Sequence, residues 1–176
     1  YNYYKHWKVG NHMSTLSVDT IAGQTTAANV KLPAGSIVQT VNAKTTTMVN
    51  VASTTHADTG LTATITPKYS TSKILVIISQ SIGSDRDNNV ASVGIIVKRD
   101  STTIQTQSYV AYAEANNASA VKDIGPYSFT MLDSPSTTNA TTYKTQGRIN
   151  ATSNNGTARF QWDQSESNIT LLEISQ

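Results

Sequence analysis

The sequence predicts an all-β protein: an antiparallel β-sandwich or jelly-roll-like knob over residues 36–176, with an extended N-terminal arm ahead of it. Three observations lead there. Short segments alternate apolar and polar residues. In Leu61-Thr62-Ala63-Thr64-Ile65-Thr66 the apolar side chains fall on one side of a strand and the threonines on the other. Breaks with turn chemistry recur about every ten residues, the spacing of a sandwich or barrel. Helical composition is confined to 111–120, where Asn116-Asn117 interrupts it, so this stretch reads as a loop with one helical turn.

Residues 1–12 are aromatic and basic without a clear period, and read as a leader of unclear origin before Met13. Residues 13–35 are poor in large apolar side chains. Leu16, Val18 and Ile21 alternate there, and Leu32-Pro33-Ala34-Gly35 ends the stretch sharply. This is the composition of an arm that gains order against a partner; an edge strand of the same domain is the alternative. Ten strands follow, at 36–42, 46–52, 59–66, 73–82, 90–99, 103–110, 121–132, 141–150, 157–162 and 168–175. The breaks between them include Pro67-Lys68-Tyr69-Ser70, Ser84-Asp85-Arg86-Asp87-Asn88-Asn89, Ser134-Pro135-Ser136 and Asn154-Asn155-Gly156. Asn155-Gly156 is the strongest hairpin signal, because both residues tolerate positive φ, and it joins 141–150 to 157–162.

Only 14% of the 176 residues are charged, and serine, threonine and asparagine make up about a third. Such a surface stays soluble through hydroxyls and amides, and threonine suits strand faces. A net charge of +2 is too small for a nucleic-acid footprint, and the lysines and arginines look scattered, with no basic stripe. Cysteine is absent, which excludes disulfides and thiol chemistry. The longest apolar run, Ile74-Leu75-Val76-Ile77-Ile78, fits a buried strand and is too short to span a membrane; no signal peptide is legible.

No catalytic constellation stands out. His6, His12 and His56 lack metal-ligand spacing. Asp85, Asp87 and Asn89 begin like a calcium loop, but Val90 stands where glycine is needed, and a polar turn is the better reading. Asp163 and Glu166 near Trp162 could form a glycosidase pair, with no further support. No nucleophile elbow, phosphate loop or dinucleotide fingerprint appears. Five Asn-x-Ser/Thr sequons match what this Ser/Thr-rich composition produces by chance. Tyr143, Phe160 and Trp162 lie within strands and read as core or subunit contacts.

Recognition is best placed on two long polar connections. The first holds Asp85, Arg86, Asp87, Asn88 and Asn89. The second sets Tyr109 and Tyr112 beside Glu114, Asn116 and Asn117, where a ring next to amides and a carboxylate suits a sugar face.

Several motifs, in order, resemble the virion fibre proteins of marine tailed bacteriophages, those of cyanobacteria especially. They are Met13-Ser14-Thr15-Leu16-Ser17-Val18-Asp19-Thr20-Ile21, Leu32-Pro33-Ala34-Gly35-Ser36-Ile37-Val38-Gln39, Thr59-Gly60-Leu61, Ile65-Thr66-Pro67 and Ser72-Lys73-Ile74-Leu75-Val76. Val97-Lys98-Arg99 leading to Ile104, Leu132-Asp133-Ser134-Pro135 leading to Tyr143, and the closing Ile169-Thr170-Leu171-Leu172-Glu173-Ile174 complete the set, which runs from Met13 to the end. The resemblance implies a non-enzymatic structural protein on the exterior of the virion. It would be a homotrimer, held to other virion proteins by its arm, with a knob facing a host cell-surface glycan or protein. No cofactor, nucleic acid or membrane insertion is expected. The alternatives are a capsid decoration or head-fibre protein, a polysaccharide-degrading virion enzyme, and a bacterial matrix or pilus-like β-protein.

Overall fold

A computed structural model of the chain describes residues 32–87, 90–113 and 120–176. The leader and most of the predicted arm lie outside the described residues. Leu32–Gln176 forms one compact unit. Residues 33–35 are tied to the end of the chain: the Gly35 N–H donates to the Ser175 carbonyl (2.9 Å) and the Ser175 hydroxyl to the Pro33 carbonyl (2.6 Å).

Ten strands are described: β1 (Ile37–Thr45), β2 (Val49–Val51), β3 (Ala57–Ile65), β4 (Lys73–Asp87), β5 (Ala91–Arg99), β6 (Thr102–Ala113), β7 (Ala120–Asp133), β8 (Thr141–Ile149), β9 (Thr157–Phe160) and β10 (Ser167–Ile174). All pair antiparallel, and the all-β sandwich predicted from alternation is what they build. The first sheet centres on β4. One edge of β4 pairs with β7 from Ile74↔Asp133 to Asp87↔Ala120. Its other edge pairs first with β10, ending at Ser79↔Asn168, then with β9, starting at Ile82↔Phe160. β10 and β9 therefore form one interrupted line along β4, with residues 161–166 looped out. β1 and β2 repeat that line one position further out, pairing with β10 and β9 respectively. The second sheet runs β3–β8–β5–β6.

The alternation sorts side chains as the pleat requires. In β8, Thr141, Tyr143, Thr145, Gly147 and Ile149 are buried while the residues between them are half-buried. Ile74, Val76, Ile78 and Ile82 of β4 face Leu61, Ile65, Val93, Ile95, Val97 and Ile149 across the core. Each such side chain contributes about 1.5–3 kcal/mol on burial. Gly147 is needed here: a Cβ on it would lie 2.0 Å from Phe160 Cζ, so the ring of the first sheet packs against bare backbone in the second.

One set of buried polar groups lies where the strand lines break. Gln161 is fully buried, with φ 52°. With its amide oriented to suit its neighbours, it donates to the carbonyls of Thr47, Thr59 and Phe160 and accepts from Ser167 Oγ and Gln80 Nε2. Ser167 Oγ accepts from the Ser81 N–H (2.9 Å). These bonds replace the ladder bonds lost at the interruption, as buried backbone groups require.

The end of the sandwich near Lys73 carries a second network. Arg99 Nη1 donates to Asp133 Oδ1 (2.8 Å), and Tyr143 Oη donates to Asp133 Oδ2 (2.7 Å). Burial, then the hydrogen bond and charge of Asp133, raise the Tyr143 phenol far above its ordinary range. Glu173 is fully buried; Oε1 accepts from the N–H groups of Lys68 (2.8 Å) and Tyr69 (3.2 Å), and Oε2 accepts from Gln39 Nε2 (2.6 Å).

Two local readings are corrected. Asn155-Gly156 does not close a hairpin, because β8 and β9 belong to different sheets. The tight turn exists, but its left-handed residues are Asn154 (φ 53°) and Asn155 (φ 57°), and it serves a crossing between sheets. Turn chemistry fixes local backbone only; it does not decide whether the flanking strands pair. Trp162, predicted within a strand, lies in a 3-10 turn (Trp162–Gln164) flanked by left-handed Gln161.

Gly147→Ala is expected to cost about 1–3 kcal/mol through forced displacement of Phe160, as measured by urea titration. The raised Tyr143 phenol contributes stability that is whole below the unfolded tyrosine value and falls as pH climbs from about 10 toward the folded value. Urea titrations at stepped alkaline pH are expected to show this decline, and Tyr143→Phe to make it shallower.

Candidate functional site

The described strand ends that bound four connections, β2–β3, β4–β5, β6–β7 and β8–β9, lie at one end of the sandwich. The registers bring them together, since Asp87 lies beside Ala120, Ala91 beside Ala113 and Val93 beside Ile149. Residue 32, where the described chain enters, lies at the other end with Ser175, Asp133 and Lys73.

The first predicted recognition segment is strand through Asp87 rather than loop, with Ser84–Asp87 paired to β7. Its polar side chains have partners within the fold. Asp85 accepts from Arg159 Nη2 (2.7 Å) and Nε (3.1 Å) on the outer face of the sheet. Arg86 points inward and is only 6% exposed. Its Nε donates to the Ser153 carbonyl (3.0 Å), Nη2 to Ser153 Oγ (2.6 Å) and Nη1 to the Val90 carbonyl (2.6 Å). Asp87 accepts from Asn155 Nδ2 (2.7 Å), and its N–H donates to the Asn154 carbonyl (2.8 Å). Arg86 and Asp87 thus clamp the β4–β5 connection to the β8–β9 crossing, and the guanidinium of Arg86 is turned away from solvent.

Tyr109 and Tyr112 are 74% and 52% exposed. Between them Ala111 is buried, with φ 48°. Val110 pairs with Val93 and Tyr112 with Ser92, so Ala111 is the unpaired residue of a bulge. β6 is an edge strand, and bulges there spoil the edge for further pairing. Beneath it, Tyr127 Oη donates to Asp123 Oδ2 (3.0 Å). Burial and then that carboxylate raise the Tyr127 phenol above its ordinary range. Asn88, Asn89, Glu114, Asn116 and Asn117 lie outside the described residues.

Trp162 sits on the outer face of the first sheet, against the backbone of Gly83, where a Cβ would meet Cε3 at 2.8 Å. The Arg159 guanidinium lies 4.6 Å from its ring centroid, close enough for a cation–π contact. Of the two carboxylates considered for sugar hydrolysis, Glu166 pairs with Lys44 (3.0 Å) and Asp163 is exposed in the turn. Among the described residues no three histidine, cysteine or acidic side chains converge to hold a metal ion.

Cations scattered in the sequence meet on the outer face of the second sheet. Lys98 of β5 lies directly opposite Lys144 of β8, and Arg148 follows on the same face of β8. Beside them the register of β3 slips between Asp58 and Thr62, where Gly60 takes φ 84°. The slip opens a hollow of about 270 Å³ lined by Asp58, Gly60, Leu61, Thr62, Thr142, Lys144 and Thr145. Asp58 bonds Lys144 Nζ (2.8 Å to Oδ1) and accepts from Gln146 Nε2 (2.7 Å), contacts that hold its carboxyl below the ordinary range. These residues are distant in sequence; the one legible trace was the period-two run Lys144-x-Gln146-x-Arg148.

No family model matches the chain, and no curated protein is similar to it.

Arg86→Ala is expected to cost about 2–4 kcal/mol by leaving buried acceptors unpaired. Limited proteolysis is expected to cut first at the β4–β5 and β8–β9 connections in this variant. Asp85→Ala is expected to cost about 1 kcal/mol by the same urea titration.

Proposed function

We propose that this domain is a non-enzymatic structural protein of a tailed-bacteriophage virion, of tail-fibre type, that attaches the particle to its host as a homo-oligomer. The observation that carries the reading is the polarity of the sandwich. Residue 32, where the described chain enters, lies at one end, and the strand ends that bound the connections predicted for recognition lie at the other. That layout suits a knob held by an arm.

Two further features support it. Counting each interrupted line as one strand, successive strands alternate between sheets except for the β5–β6 hairpin. This winding supports a jelly-roll architecture, which recurs in viral and lectin domains. That link is an analogy at the level of fold. For self-association, Leu172, Leu75 and Leu132 stand in one row across β10, β4 and β7 on the outer face of the first sheet. Leu132 is 54% and neighbouring Ile77 38% exposed, an apolar row that a second subunit would cover. Several weak sites in one oligomer then bind a cell surface together.

The purified chain is expected to sediment as an oligomer, with a trimer as the leading size, and to bind intact host cells. Leu132→Glu is expected to shift it to monomer while the circular-dichroism spectrum stays β. A folded oligomer that binds no host envelope fraction would favour a head-decoration role. Shortening of host exopolysaccharide by the protein would overturn the non-enzymatic reading.

A further inference from the structure

We infer that the outer face of the β3–β8–β5–β6 sheet, centred on Lys98, Lys144 and Arg148, is a binding surface for an acidic polysaccharide. The inference deepens the adhesion reading and rests on it for its biological setting, since it names the ligand class and moves the site from the loops to a sheet face.

The arrangement follows from the pairing. β8 presents Lys144, Gln146 and Arg148 outward at every second residue. Across from them β5 sets Lys98 opposite Lys144, Ile96 opposite Gln146 and Gly94 opposite Arg148, while β3 sets Asp58 opposite Gln146. Gly94 leaves room for the arginine: a Cβ there would lie 3.0 Å from Arg148 Nε, so that side chain crosses the bare backbone of β5. From Lys144 to Arg148 the cations extend over about 13 Å of strand. That is long enough for more than one sugar unit.

Charge is what singles this face out. Like charges directly opposite one another destabilise a sheet. Asp58 relieves Lys144, but neither Lys98 nor Arg148 has an ion pair among the described residues. Three cations meet one carboxylate on the strands, Asp58, with Asp100 at the β5–β6 turn bonding the Thr142 N–H, so cations still outnumber carboxylates there. His56, just before β3, registers the same field: burial first, then the charges of Arg148 and Lys98, hold its imidazole below the ordinary range. A uronate or sulfate group would supply the missing counter-charge through charge-assisted hydrogen bonds.

The rest of the lining favours sugar over phosphate polymers. The hydroxyls of Thr62 and Thr142 at the hollow, bonded to the Tyr143 carbonyl and the Thr64 hydroxyl, keep lone pairs for a further donor, and Gln146 and Asp58 stand beside it. Asp58 accepts hydrogen bonds from sugar hydroxyls and repels a dense polyanion. Three cations are also few for a nucleic acid, whose binding relies on many phosphate contacts. Tyr109 on neighbouring β6 adds an exposed ring at the margin of the same sheet.

The test is titration calorimetry of the full chain with alginate oligosaccharides, a polyuronate. Their carboxyl-reduced counterparts and a single-stranded oligonucleotide are run in parallel. Binding to the polyuronate alone is expected, weakening as salt rises. Lys98→Gln and Arg148→Gln are each expected to weaken it about tenfold. Lys44→Gln, remote on the other sheet, is expected to leave it unchanged. Both variants replace partly exposed side chains, and matching urea midpoints establish that they fold. Equal binding of the reduced oligosaccharide, preference for the oligonucleotide, absence of polyuronate binding, or indifference to both substitutions would each overturn the inference. Host-cell binding by a chain that ignores the polyuronate would defeat this site and leave the adhesion reading standing. Polyuronate binding without cell binding would do the reverse.

Discussion

The register of β4 is the constraint on which the sandwich depends. This strand is paired along both edges, with β7 on one side and the β10–β9 line on the other. A slip of one residue would turn Ile74, Val76, Ile78 and Ile82 to solvent and bring Leu75 and Ile77 inside, reversing every face it supports. The fold fixes that register by side-chain fit as well as by hydrogen bonds. On the outer face Trp162 occupies the space left by Gly83, and inside the core Phe160 occupies the space left by Gly147. Neither ring has room if its strand moves by one position.

Polar residues then hold the ends that the apolar core does not reach. Asp133 at the end of β7 in one sheet takes Arg99 and Tyr143 from the other, so one carboxylate links the two layers. Glu173 performs a comparable task for the β3–β4 connection, accepting two backbone N–H groups that would otherwise be unsatisfied. Hydrogen bonds to charged groups are worth about 1.5–3 kcal/mol each, more than an exposed pair such as Lys44–Glu166 contributes.

The fold was legible because alternation is a local property. Residues 61–66 and 141–149 state their inner and outer faces without reference to anything else. The extension of β4 to Asp87 was not legible, since Ser84-Asp85-Arg86-Asp87 has the composition of a turn. Only the partners Arg159, Ser153, Val90 and Asn155, each supplied from elsewhere in the chain, make a strand tolerable there. The Asn155-Gly156 signal failed for a related reason: positive φ was correctly anticipated nearby, but strand pairing is decided by the core. The basic face was hidden in the same way. Lys98 and Lys144 are 46 positions apart, and scattered cations become neighbours only once β5 and β8 pair.

The two outer faces then divide the surface by chemistry. A chain with 14% charged residues has few charges to place, and most of those near the sheets are consumed inside the fold. Arg99 and Asp133, Arg159 and Asp85, and Lys144 and Asp58 pair across strands, while Arg86 and Glu173 are absorbed by backbone groups. The row Leu172–Leu75–Leu132 on the first sheet holds no charge itself; Thr170 and Thr130 flank it on one side, and Lys73 lies two residues from Leu75 on the same strand face. On the second sheet Lys98 and Arg148 remain without a counter-ion among the described residues. Association through an uncharged row carries a smaller penalty for desolvating ions, whereas a face with uncompensated cations resists burial against a copy of itself. Under the proposed roles, the same distribution suits the first sheet to self-association and leaves the second open to an anionic ligand.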